Sequence, residues 1–162
     1  MRNSRQRGKK GVLRLNVAKY SLELKENEGF EEVGVASDTY EMAELCRRIG
    51  LSTKPEEHVY VFMVDNQLNV IGISEVSHGG VSESFVDISN IFKRALLCNA
   101  KNIILAHNHP SGGLEPSNQD IGLTERVREG CKSVGIGLLD HLIVSGNRYR
   151  SMLEEGDGGF GR

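Results

Sequence analysis

Residues 102–127, "NIILAHNHPSGGLEPSNQDIGLTERV", hold the change of period that decides how this chain folds. Asn102–Ala106 is a short apolar run, the pattern of a strand buried on both faces. Pro110 has no backbone N–H to give a ladder, and Gly112-Gly113 permits a sharp reversal. Ser117 stands at an N-cap position with Asp120 at N3, which predicts a helix running to about Ser133. The unit is a strand, a loop and a helix, with polar residues at both corners. Residues two apart on a strand project to one side, so His107 and His109 can address one point. The loop brings Ser117 and Asp120 back toward them.

Histidine and aspartate can also cap helices and satisfy turns, and Asp120 is well placed at a helix N-terminus. The spacing His-x-His-x7-Ser-x2-Asp on this frame favours a metal site. Catalytic zinc typically takes three protein ligands and leaves a fourth position for water, whose pKa falls to about 7. Calcium or magnesium would want more oxygen ligands. Zinc, one ion per chain, is therefore the first choice, with iron or manganese behind it. A hydrolase of this kind also needs a base that is not a ligand. Glu56, Glu57, Glu75, Glu83 and Glu115 are the candidates. Glu57 stands at the mouth of the apolar strand "HVYVFMVD" and is expected beside a parallel strand carrying the histidines. Glu75, within the partner strand, is the second choice, and Glu115 in the loop looks too exposed.

Outward from this unit, elements of both types alternate. Residues 38–50 read as a helix capped by Asp38, with Tyr40, Leu45 and Ile49 inward and Gly50 at its end. Asp65-Asn66-Gln67 turns the strand starting at His58 into a hairpin partner, "LNVIGISEV". Gly79-Gly80 marks a loop. A second helix is expected from Ile88 to Asn99, with Ile88, Ile91, Phe92, Ala95 and Leu96 inward. "IGLLDHLIV" (136–144) is another buried strand, and "SGNRY" turns into a last short one. Residues 1–10 are expected to be disordered, 11–25 to form peripheral strands, 25–32 a charged connector, and 154–162 a frayed tail. The fold class is α/β, a mixed sheet flanked by helices.

The 162 residues fit one domain, and 38% apolar against 26% charged residues allows a buried core. There is no apolar run of about 18 residues and no apolar leader, so neither a membrane span nor a secretory signal is expected. Cys46, Cys98 and Cys131 are widely spaced, consistent with reduced, buried thiols in a cytoplasmic protein. Arg2, Arg5, Arg7, Lys9, Lys10 and Arg14 put six positive charges at the N-terminus, leaving −8 for the rest of a chain of net charge −2. Such an arm is usually solvated and could make weak contact with nucleic acid.

"HNHPSGGLEPSNQD" resembles the JAMM motif of the JAB/MPN metallohydrolases. With "NAKNIILAHNHPSGGLEPSNQDIGLTERV" and "GIGLLDHLIVSGNRY", the chain resembles the RadC branch over about residues 37–155. Residues 1–36 are then an arm and 156–162 a tail. The resemblance implies a cytidine deaminase-like fold and zinc on His107, His109 and Asp120. It implies Ser117 as a donor to the oxyanion of a tetrahedral intermediate. It also implies a catalytic glutamate at the start of an early strand, which register makes Glu57, with Glu56 one residue away. Asn108 stands where eukaryotic members usually have Ser or Thr, and is normal for RadC. The first 36 residues do not resemble the helix-hairpin-helix segment of longer RadC proteins, so a short form is expected.

The function expected is zinc-dependent hydrolysis of a peptide or isopeptide bond in a protein or peptide substrate. The alternative is a DNA-associated accessory protein, of repair or mobile elements, whose metal site is structural or residual. A metal-dependent nuclease ranks below both, since two metals are not obviously presented. A deaminase is disfavoured because the Pro-Cys-x-x-Cys ligand pair of that chemistry is absent. His141 is read first as a buried histidine satisfying a backbone group, and second as a partner for a metal ligand. His58 and His78 are read as structural or surface residues. An exposed sheet edge could support a homodimer.

Overall fold

A computed structural model of the chain describes Ala36, residues 38–79 and residues 86–161. The basic arm, the strands expected over 11–25, the connector and Glu83 lie outside these residues.

Five strands form one sheet: β1 (His58–Val64), β2 (Val70–His78), β3 (Asn102–Asn108), β4 (Gly137–Ser145) and β5 (Arg148–Ser151). Their order is β2-β1-β3-β4-β5. β3 and β4 are parallel, joined by a helical crossover, and the other pairs are antiparallel. The helices are α1 (Thr39–Arg48), α2 (Ile88–Leu97), α3 (Asn118–Val134) and the short α4 (Met152–Glu155). The mixed sheet flanked by helices is the expected class.

Alternation along the strands splits the core in two. Val59, Val61, Ile103 and Leu105 pack with Ile91 and Ala95 of α2 and with Leu123 and Val127 of α3. Phe62, Val64, Ile104, Ala106 and Leu142 pack with Met42, Leu45 and Cys46 of α1. Helices on both faces are why β1 and β3 read as near-continuous apolar runs. Each fully buried aliphatic side chain contributes about 1.5–3 kcal/mol of transfer free energy.

The pairing of β1 with β3 corrects the expectation that they are parallel. They are antiparallel, with Val59 opposite His107 and Val64 opposite Asn102. A parallel arrangement would have set the start of β1 against the start of β3, far from the histidines. The antiparallel one sets it against their end.

Two inward assignments also change. Tyr40 is exposed and lies under the Arg47 guanidinium, 5.9 Å from ring centroid to Cζ. Leu96 is exposed as well, because Ile91 and Ala95, four apart, define the inward line of α2. Cys46 and Cys131 are buried, and burial pushes their thiols up to about 12 and about 11. Cys98 is half-buried, and all three are free. No helix among the described residues is long and apolar enough to cross a membrane.

Of the C-terminal residues expected to fray, 154–161 are folded. Ser151 caps α4, and a 3-10 turn follows at Asp157–Gly159. Arg150 pairs with Asp157 at 3.0 Å, and Arg128 donates to the Gly159 carbonyl. Gly158, at φ +57°, lies so close to α3 that a Cβ there would stand 2.7 Å from Thr124 Cγ2. Asp140 anchors the segment, accepting from Ser151 Oγ (2.6 Å), Leu153 N (3.0 Å) and His141 N (2.7 Å). Burial raises the Asp140 carboxyl above its usual range despite these donors. Asp140→Ala strands the Ser151 and Leu153 donors and is expected to destabilise the protein by about 2 kcal/mol. Urea unfolding measures this, and an unchanged midpoint would show that the turn holds without Asp140.

Candidate metal centre

β3 and α3 place the motif. Alternation turns His107 to the face covered by α3, where it is buried, and His109 follows one residue past the strand. The backbone of His109 remains tied to β4: its N–H donates to Val144 O and its carbonyl accepts from Ser145 Oγ, both at 3.1 Å. Gly112 supplies the reversal at φ +87°. Its carbonyl accepts from Arg148, and Glu115 pairs with Arg150, so β5 grips the loop from outside.

Ser117 and Asp120 form a full capping box at the start of α3. Ser117 Oγ accepts from Asp120 N (3.1 Å), and Asp120 Oδ2 accepts from Ser117 N (2.7 Å). Ser117 Oγ also donates to Oδ2 at 2.6 Å. Oδ2 thus holds the cap and lies toward His109, while Oδ1 faces His107. Asp120 heads the buried stripe Asp120, Leu123, Thr124, Val127 and Cys131, in which two polar residues sit on an apolar helix face.

The donor atoms converge. His107 Nε2 lies 3.0 Å from His109 Nε2 and 3.3 Å from Asp120 Oδ1, and His109 Nε2 is 3.6 Å from Asp120 Oδ2. Three donors on a tetrahedral ion with bonds of about 2.0–2.1 Å stand about 3.3 Å apart, so this set fits zinc. The three residues could hold a metal ion, and they are the one such group among the described residues. His109 Nδ1 lies 3.1 Å from the Gly113 carbonyl. A carbonyl only accepts, so that nitrogen carries the proton and Nε2 faces the site.

The electrostatics agree. Burial alone would raise the Asp120 carboxyl, but the His107 and His109 rings beside it and the Ser117 hydroxyl hold it well below the usual range. The bond to Asp120 raises His109 above its ordinary value against the opposing effect of burial, and the Glu57 charge adds to the rise. The centre therefore holds a fixed negative charge that favours a cation.

A cleft of about 350 Å³ opens on this wall, lined by Pro55, Glu56, Glu57, His109, Pro110, Ser111, Ser117 and Gln119. Glu57 precedes β1 and shares the face of Val59, which pairs with His107. Glu56 lines the cleft but is more exposed. Glu75 is elsewhere: it accepts from Tyr60 Oη at 2.8 Å and lies within 3.3 Å of the His58 and His78 rings. Glu115 is at the surface, paired with Arg150.

Sequence reasoning missed two residues and ranked a third wrongly. Asn108 is buried and staples the Glu57 segment to β3. Its Oδ1 accepts from His58 N (2.8 Å), and its Nδ2 donates to Glu56 O (2.8 Å) and Lys54 O (3.1 Å). The signal was an amide flanked by two histidines at the end of an apolar strand. His141 satisfies no backbone group through its ring. Its Nε2 lies 2.9 Å from His107 Nδ1 and its Nδ1 2.7 Å from Thr124 Oγ1, so its ring meets a candidate ligand rather than the backbone. Burial holds His141 far below its ordinary value, as a neutral ring. Thr124 was legible only as a polar residue four after Asp120 on the same helix.

Comparison with known proteins agrees with this architecture. The chain is similar to UPF0758 proteins: 45% identical over 101 residues to one from Clostridium acetobutylicum, covering 62% of this chain and 44% of that protein. It is 41% identical over 101 residues to one from Methanococcoides burtonii, with the same coverage. It is 41% identical over 107 residues to one from Porphyromonas gingivalis, covering 65% and 47%. The matched stretch spans under half the length of these relatives. Residues 36–157 match the model of the RadC-like JAB domain, almost everything that carries the sheet, the helices and the metal centre, and the chain therefore belongs to that family.

Proposed function

We propose that the chain is a zinc-dependent hydrolase that cleaves a peptide or isopeptide bond in a protein or peptide substrate. One observation carries the reading: the donor atoms of His107, His109 and Asp120 converge, and His109 brings that group to a cleft that Glu57 and Ser117 also line. Zinc held by His107 Nε2, His109 Nε2 and Asp120 Oδ1 would polarise the scissile carbonyl and lower the pKa of a water to about 7.

The chain supplies the rest. Glu57 takes the proton of the attacking water and returns it to the leaving amine, which a carboxylate at the cleft wall can do without a ligand role. Ser117 donates its hydroxyl proton to the developing oxyanion. That proton now goes to Asp120 Oδ2. The hydroxyl must turn toward the substrate for this step, and Asp120 keeps the backbone bond of the cap when it does. Pro55 and Pro110 give the cleft rigid apolar walls against which an extended chain can lie.

The test is a panel of peptides and isopeptide-linked conjugates incubated with zinc-replete protein. Cleavage is expected to stop on chelation and return when zinc is added back. Cleavage indifferent to chelator, or none across the panel, removes the reading.

A further inference from the structure

Beyond the ligands, the centre contains a buried chain of hydrogen bonds that begins at one ligand and ends at another. We infer that His141 and Thr124 are positioning residues that set the tautomer of His107 and lock it to Asp120. The inference rests on the metal reading above.

The direction of every bond follows from the far end. The Asp120 carbonyl lies 2.7 Å from Thr124 Oγ1 and can only accept, so the threonine hydroxyl donates to it. Having spent its one proton, Thr124 Oγ1 accepts from His141 Nδ1 at 2.7 Å, so that nitrogen carries the His141 proton. His141 Nε2 then has a lone pair and accepts from His107 Nδ1 at 2.9 Å. With its proton on Nδ1, His107 presents the lone pair of Nε2, the nitrogen 3.3 Å from Asp120 Oδ1. The ligand-ready tautomer thus follows from a backbone carbonyl, with no metal assumed.

Burial makes the assignment costly to break. His107 and His141 are 1% and 0% exposed, and Thr124 is 0%. Water cannot replace any link, and a reversed tautomer would set two donors or two acceptors against each other inside the core. The fold explains why three elements can meet here. Leu105 of β3 pairs with His141 of β4, so the His141 ring lies diagonal to His107 on one sheet face. Thr124 stands one helical turn after Asp120 on the buried stripe of α3. Met152 Sδ, 3.7 Å from Thr124 Oγ1, and Gly158 close the chain from behind. The C-terminal turn is therefore part of the support of the centre.

Partners that orient a ligand histidine are worth about 10–100-fold in metal affinity. Thr124→Val keeps the shape and removes the hydroxyl. It is expected to weaken zinc binding at least about 10-fold in competition with a chromophoric chelator. Thr124→Ser, which keeps the hydroxyl, is expected to bind within about 3-fold of the wild type, well inside the range expected for losing such a partner. The unmodified protein gives an independent readout. Nitrogen NMR of metal-free protein is expected to show His107 protonated at Nδ1 and His141 at Nδ1. This holds even if Thr124→Val does not fold. Zinc binding equal in the wild type and Thr124→Val overturns the inference, as does an Nε2-protonated His107. A wild type that binds no zinc overturns the metal reading itself, a result distinct from either.

Discussion

Glu57→Gln is expected to lower turnover by about 10²–10⁴-fold while leaving zinc content at the wild-type level. The substitution keeps the size and polarity of the side chain and removes its capacity to take a proton. Glu57 makes no hydrogen bond to His107, His109 or Asp120, so the centre should assemble without it. Glu56→Gln is the control. It lines the same cleft and its backbone carbonyl accepts from Asn108, but its side chain is more exposed than that of Glu57. Its turnover is expected within a few-fold of the wild type, small beside the loss expected for a missing base. A reversed pair of results would place the base at Glu56 and shift the register of the motif by one residue. Full activity in both would remove the glutamate mechanism.

His109→Ala is expected to reduce zinc from about one ion per chain to none detectable by elemental measurement. The affinity loss should exceed about 100-fold, because even partners outside the ligand set cost 10–100-fold. His109 is the cleanest candidate ligand to remove. Its ring makes one other hydrogen bond, to the Gly113 carbonyl, and it lies past the end of β3, outside the core. Asp120→Ala would also lose the metal, but it breaks the capping box of α3 at a cost of about 1 kcal/mol or more, so a lost metal and a damaged fold would be confounded. His107→Ala would open a cavity beside His141. Zinc retained by a folded His109→Ala protein would mean that these residues serve the fold alone.

The membership of the family and the chemistry of the centre stand at different levels. The family follows from similarity over residues 36–157, and the capacity to hold a metal from the convergence of three donors. The substrate bond is a proposal, since the relatives compared are much longer than the stretch they share with this chain.

What the sequence determined by itself is local. The strand, the glycine reversal and the capping box are encoded within residues 102–134, where each element is specified by residues a few positions away: period, missing N–H, N-cap, N3. The candidate ligands were legible for the same reason, as all three lie on that one segment. The β1–β2 hairpin was equally readable, from an apolar run and a turn. The tertiary structure decided everything that depends on residues distant in the chain. Periodicity specifies which face of a strand is buried but not which neighbour it meets or in which direction. The antiparallel pairing of β1 with β3 was therefore invisible, although it is what sets Glu57 beside the histidines. Asn108 reaches His58, Glu56 and Lys54, and His107 reaches His141, across separations that leave no local pattern. The C-terminal glycines looked like fraying because a glycine's value there, room for close approach to Thr124, exists only once α3 is packed against them.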